Sequence, residues 1–202
     1  SEVVGDVRGY ANWRRAVVLA TRVFGVFRGG ADADLATWYW GGPYFLRGYD
    51  AGSFDYRSSE CEPMDDGVDP ILSYCPARDQ LLGSSFAMAS AELRFPIITR
   101  LQLGAAANLP PVDAVLFAEG GMAWDDRICL SSACTDDNRR RVRPVWRRAP
   151  DESPLLHREP LYAAGFGLRF NIFYAILRLD YAFPLSRPDR SGVLSVSVGP
   201  SF

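Results

Sequence analysis

Gly192-Val-Leu-Ser-Val-Ser-Val-Gly-Pro-Ser-Phe202 alternates without a break. Leu194, Val196, Val198, Pro200 and Phe202 fall on one face, and Ser195, Ser197, Gly199 and Ser201 on the other. Successive side chains of an extended chain point to opposite sides, so one face suits an apolar medium and the other a polar one. The pattern recurs just upstream. Between Phe173 and Phe183, the residues Ala175, Leu177, Leu179, Tyr181 and Phe183 oppose Arg178 and Asp180. Between Tyr162 and Phe170, Tyr162, Phe166, Leu168 and Phe170 oppose Gly165, Gly167 and Arg169. These two strands meet near Asn171 with almost no loop, as in a tight hairpin.

Four more strands read the same way. Ala87, Ala89, Ala91, Leu93 and Phe95 oppose Met88, Ser90, Glu92 and Arg94. Leu116, Ala118, Met122 and Trp124 oppose Phe117, Glu119 and Gly121. At the start, Val7, Ala11 and Trp13 oppose Asp6, Arg8 and Tyr10, and Val17, Leu19, Val23 and Phe27 oppose Arg22. The seven candidates run to about 9–13 residues each, close to the ~9–11 of a tilted membrane-crossing strand.

Two features favour a barrel in a membrane over a soluble two-sheet sandwich. Trp13, Phe27, Phe95, Trp124, Tyr162, Phe170, Phe183 and Phe202 sit at strand ends on the apolar face, as the aromatic girdles at two bilayer interfaces do. Connections also alternate in length. Short turns are marked by Arg14 and Asn171, whereas long polar stretches run from about residue 29 to 83 and from 125 to 160. Outer-membrane barrels have short periplasmic turns and long outer loops. The segment between Pro96 and Pro111 departs from the pattern and is expected to pack against the rim or lie in the interface. No run of about 18 apolar residues exists, so a helical span is not expected.

Composition narrows the function classes. A net charge of −2 and a pI near 5.5 leave no broad basic footprint for nucleic acid. All 22 basic residues are arginine. The run Arg139, Arg140, Arg141, Arg143, Arg147 and Arg148 suits lipopolysaccharide phosphates or Asp-rich neighbours on an outer loop better than nucleic acid. The acidic pairs Asp65-Asp66, Asp125-Asp126 and Asp136-Asp137 lack the spacing of a calcium loop, and His157 stands alone. With no nucleophile elbow, phosphate loop or metal signature, neither enzyme activity, metal nor cofactor is expected. Four cysteines allow three connectivities. The simplest has two local pairs, Cys61 with Cys75 and Cys129 with Cys134, which imply an oxidising compartment. Free thiols are the alternative.

The most specific stretch is Gly41-Gly42-Pro43-Tyr44-Phe45-Leu46-Arg47-Gly48-Tyr49. Its glycines free the backbone from β constraints, and Arg47 stands between an apolar neighbour and a glycine. An arginine in that setting seeks a carboxylate, because an isolated buried charge is expensive. Here the chain resembles the bacterial surface-antigen superfamily of BamA-type outer-membrane assembly barrels. GGPYFLRGY resembles the family's loop motif, in which hydrophobic-Arg-Gly-aromatic recurs. ASAELRFPI and LFAEGGMAW resemble the two strands that follow it. GFGLRFNIFYAILRLDYAFPL resembles the penultimate hairpin and SVSVGPSF the terminal strand.

The resemblance implies a β-barrel of about sixteen strands, of which residues 1–202 supply the last seven. Its remaining strands would come from N-terminal polypeptide beyond Ser1, which leads directly into strand-like sequence with no signal peptide. It implies that the long loop, 29–83, folds into the lumen, with Gly41, Gly42, Leu46, Arg47, Gly48 and Tyr49 as its motif. Arg47 would pair with Glu92 and Glu119 on the lumen wall, although the family more often has Asp where Glu119 stands. Val196, Val198 and Phe202 would form the C-terminal signal for assembly. The expected location is the outer membrane of a Gram-negative bacterium, C-terminus periplasmic and long loops extracellular. Expected partners are lipid and lipopolysaccharide, client polypeptides and a multi-protein complex. The expected function is protein insertion or translocation; the alternative is a passive anchor or pore for a partner module.

Overall fold

In the computed structural model the chain is described at residues 1–13, 17–30, 37–54, 61–63, 73–98, 101–103, 107–109, 111–125, 127–129, 139–147, 149, 156–172 and 175–199. Seven long strands form one antiparallel sheet: β1 (Glu2–Trp13), β2 (Val17–Arg28), β3 (Ser85–Ile98), β4 (Val112–Trp124), β5 (Leu161–Ile172), β6 (Ala175–Pro184) and β7 (Val193–Gly199). They lie in chain order, each beside its sequence neighbour. Hence β1 and β7 are sheet edges, paired on one side only among the described residues. No described helix is long and apolar enough to cross a membrane. The architecture is all-β, a section of barrel wall whose two edges do not meet.

The two faces divide as alternation dictates. In β7, Leu194 is 68% exposed and Ser195 8%. Val196 and Val198 are exposed while Ser197 is buried. On the same apolar face Val7, Val23, Leu116 and Phe166 are exposed, and large apolar groups left uncovered by protein need an apolar surrounding. On the opposite face the polar residues Ser90, Glu92, Glu119, Arg169, Arg178 and Asp180 are buried. What buries them is the long connection between β2 and β3.

That connection is organised. Trp38–Tyr39 pairs with Leu82–Gly83 at its base, Glu62–Pro63 pairs with Ser73–Tyr74, and a single helical turn, α1, spans Pro76–Asp79. A Cys61–Cys75 disulfide closes its far part. Its apolar residues Trp40, Leu46, Tyr49, Phe54 and Leu81 join Val26, Phe86, Met88, Ala123, Leu161 and Ala163 of the sheet in the main core. The ring of Trp40 stacks on Phe86 at a centroid distance of 4.9 Å and an interplanar angle of 1°. The second long connection holds an antiparallel ladder, Arg127–Cys129 with Arg139–Arg141, and a parallel one, Arg143–Pro144 with His157–Arg158.

At the opposite end the strands run further than their apolar pattern. Between Pro96 and Pro111 the described residues are strand. β3 runs on to Ile98, and Leu101–Leu103 pairs with Ala107–Leu109, prolonging the β3–β4 hairpin. The alternation is lost there because Val112 pairs with Ile98 but Asp113 with Pro96, which leaves Ile97 as a bulge. A bulge beside a proline is the expected compromise, since proline has no N–H for the ladder. The tight hairpin expected near Asn171 is present, its ladder closing at the Ile172–Ala175 pair. β5 continues through Ile172 and β6 begins at Ala175 instead of Phe173. The aromatic strand ends Phe27 and Trp124 pack together at the long-loop end, 5.7 Å apart. The side chain of Trp13 and the whole of Phe202 lie outside the described residues.

Candidate functional site

The loop motif is a compact turn laid on the polar face of the sheet. Gly42 N–H donates to Leu46 O at 2.9 Å and Phe45 N–H to Gly42 O at 3.2 Å, while Gly41 and Leu46 form an isolated bridge. Gly42 at φ 120° and Gly48 at φ 81° occupy the half of φ space that L side chains avoid. Gly48 also lets the loop touch the wall, since a Cβ there would lie 3.2 Å from Cβ of Ala182. Leu46 and Tyr49 are fully buried on either side of Arg47. The Tyr49 hydroxyl donates to Tyr162 O at 2.8 Å and accepts from the Ser186 N–H at 3.2 Å. Residues at both flanks therefore hold Arg47 in place.

Arg47 is 2% exposed. Its Nε and Nη2 donate to Glu119 Oε2 at 2.9 and 2.7 Å, and its backbone N–H donates to Glu119 Oε1. Nη1 donates to Glu92 Oε1 at 2.8 Å and lies 3.6 Å from Asp180 Oδ2. The guanidinium carbon sits 3.6 Å from the centroid of the Phe117 ring, a cation–π contact in a dry setting. Burial opposes the charge on Arg47. The carboxylates of Glu119 and Glu92 outweigh it and hold the guanidinium above its ordinary pKa.

The expected trio is thus brought together, and it belongs to a larger network that sequence reasoning did not assemble. Arg94 donates to Glu92 through Nε at 2.9 Å, and its Nη2 lies 2.7 Å from the same Oε2. Arg169 donates to Asp180 Oδ1 at 2.6 Å and to Glu92 Oε1 at 3.4 Å. Arg178 lies 3.7 Å from Asp180 Oδ2. Four arginines and three carboxylates from the loop, β3, β4, β5 and β6 alternate in sign. Gly167 makes part of this possible: it pairs with Asp180 across the β5–β6 ladder, and a Cβ there would lie 2.2 Å from Asp180 Oδ1. The available signal was that Arg94, Arg169, Arg178 and Asp180 share a face with Glu92 and Glu119; their pairing required the register.

Every acid in the network is engaged by arginine, and no cluster suited to a metal ion occurs among the described residues. The arrangement fastens a loop to a wall. A family model for the Omp85 superfamily domain matches residues 3–202. The chain belongs to the Omp85 superfamily.

No individual curated protein and no solved structure matches the chain. The Omp85 superfamily is a family of outer-membrane protein insertion and translocation, and its members typically work in outer-membrane complexes. Cys61 and Cys75 form a disulfide. Cys129 ends the strand Arg127–Cys129, but its side chain and Cys134 lie outside the described residues, so that pairing does too. Val196 and Val198 lie on the outward face of β7, while Phe202 is outside the described residues. Of the arginine run, Arg147 has a described side chain, and it is exposed.

Proposed function

We propose that this Omp85 chain is the closing section of a barrel that inserts or translocates client polypeptides at the outer membrane. The loop of residues 29–83 occupies the lumen, and Arg47 is its lock. The observation carrying this reading is the buried bonding of Arg47 to Glu119 and Glu92, which ties a long loop across the inner wall while no described strand pairs with the free edge of β7. Unpaired strand edges cannot face lipid, because each exposed N–H or C=O there goes unsatisfied. Further strands of the same barrel therefore cover the β1 and β7 edges; about sixteen in all is the number that the resemblance to BamA-type barrels implies.

In this reading the short-turn end and the C-terminus face the periplasm, and the two long loops face outward. The terminal strand pairs with the first strand of the full barrel, and clients enter at that seam. Arg147 and its neighbouring arginines meet lipopolysaccharide phosphates. A loop filling the inner face argues against an open passive pore.

The test is reconstitution of the full-length protein in liposomes with an unfolded outer-membrane barrel as client. Wild type accelerates client folding, and Arg47→Ala, inserted to the same level, loses most of that acceleration. A wild-type protein that leaves client folding unchanged sinks the reading, and the anchor alternative then stands.

A further inference from the structure

Tyr44, three residues before Arg47, makes a contact that the lock does not require. Its hydroxyl donates to the carbonyl of Val198 at 2.8 Å, joining residues 154 apart in sequence. Its ring lies against Gly199, where a Cβ would sit 3.4 Å from the ring. The backbone behind it is held from two sides. Arg22 of β2 donates to Tyr44 O at 3.2 Å, and Arg178 of β6 donates to Pro43 O at 3.3 Å. Pro43 and Tyr44 thus reach from the second strand to the last two, with β3, β4 and β5 between.

The ladder fixes which way the Val198 carbonyl points. Leu185 N–H donates to Tyr162 O at 2.9 Å, so odd-numbered residues of β6 turn their polar groups toward β5. Hydrogen-bonded and non-bonded pairs alternate in an antiparallel ladder. The register from Ala163–Pro184 to Ile172–Ala175 is unbroken, so even-numbered residues of β6 bond to β7. Their partners there are Val193, Ser195, Ser197 and Gly199. The Asn171 N–H bond to Pro111 O, on the other flank of β5, has the same phase. Leu194, Val196 and Val198 therefore direct N–H and C=O to the free edge. Tyr44 satisfies the last of these three carbonyls without a strand.

We infer that Tyr44 is a positioning residue for the closing seam, ending the zipping of any strand laid along the β7 edge short of Val198. This rests on the reading that a further strand closes against β7. With the Val198 carbonyl already bonded, pairing beyond Val196 gains one hydrogen bond fewer and must displace the hydroxyl. The end of β7 is meanwhile held toward the loop-covered face. The extent of the seam, and so the length of edge left for an incoming client strand, is set from inside by the same loop that carries Arg47.

The experiment is residue-resolved amide hydrogen exchange on the full-length protein in lipid bilayers, comparing wild type with Tyr44→Phe, which removes one oxygen from a half-exposed ring. In wild type the Leu194 amide is protected and the Val198 amide exchanges freely. In Tyr44→Phe the Val198 amide slows by about tenfold or more while Leu194 is unchanged. A Val198 amide indifferent to the hydroxyl overturns the assignment. So does a change spread equally over Leu194, Val196 and Val198, which marks a general brace. Leu194 unprotected in wild type overturns the closing-strand reading itself, whereas Leu194 protected with Val198 indifferent removes Tyr44 alone.

Discussion

Arg47 binds Glu119 through three nitrogens but Glu92 through one. Glu92 is left to serve Arg94 and Arg169 as well. The two carboxylates therefore do different jobs: Glu119 holds the loop, and Glu92 also ties β3 to β5 across the intervening β4. Glu119→Gln is expected to release the loop, seen as new protease cleavage within residues 41–54 while the sheet resists. Glu92→Gln is expected to lower resistance of the whole barrel to denaturant, with the loop still protected. Equal protease patterns in the two variants would contradict this division.

Arg47→Ala leaves Glu119, Glu92 and Asp180 facing one another around an empty site. Breaking a buried ion pair on one side costs roughly 3–5 kcal/mol. The expected outcome is a barrel that still inserts but unfolds at lower denaturant, and Arg47→Lys recovers only part of the loss, because an ammonium cannot match the fork. A variant within about 0.5 kcal/mol of wild type would show that the network does not depend on its centre.

Gly167→Ala is a small change at a costly place. The added methyl would lie 2.2 Å from Asp180 Oδ1, 2.6 Å from the Leu179 carbonyl oxygen and 3.0 Å from Arg169 Nη1. Asp180 must turn away, and the pair with Arg169 is lost or weakened. A destabilisation of about 1–3 kcal/mol follows from such overpacking. The paired variant Gly167→Ala with Asp180→Ala restores part of it, which a double-mutant cycle measures; strictly additive losses would count against the steric explanation.

Asp50, beside the loop motif, gives a pH dependence of a particular sign. Burial pushes its carboxyl above the ordinary 3.8, and its Oδ2 has no hydrogen-bond partner among the described residues. An acid with a raised folded-state pKa binds its proton more tightly when folded. Its contribution to loop stability is full below 3.8 and is lost as pH rises through the folded value. Loop protection against protease should therefore decline over that window. Asp50→Asn, which carries no charge at any pH, should flatten the curve and protect the loop better at neutral pH. An unaltered pH profile in Asp50→Asn excludes this group as the source.

Reduction of Cys61–Cys75 is expected to loosen only the outer part of the loop. The bridge spans 14 residues, a closure worth up to about 3 kcal/mol. Leu46, Arg47 and Tyr49 are anchored separately on the wall. Thiol labelling after mild reduction, followed by proteolysis, should show cuts near Cys61 and Cys75 with the motif and the barrel intact.

Much of this fold lies in a period of two. Where a strand has one face toward lipid and the other toward a polar interior, alternation alone separates Val196 from Ser197 and Leu179 from Asp180. Arg47, Glu92 and Glu119 were legible because one motif and two face assignments sufficed. The pairing of Arg169 with Asp180 was not, because it depends on which residues lie opposite across β5 and β6. Alternation fixes a face but never a register. It also fails at Pro96 and Ile97, where a bulge shifts the phase by one residue. The two-residue ladders of the long loop are too short to leave any period at all.

The flat stack of Trp40 on Phe86 has a consequence in time. Those rings, with Leu46, Leu81 and Tyr49, pack a voluminous loop against the inner wall. Once a wall of this kind has curled into a complete ring, a loop cross-linked at Cys61 and Cys75 has only the ring's mouth to enter by. Docking is easiest while the wall is still a sheet with two free margins. The expected order of events is loop seated first and ring completed last, around a form already cast.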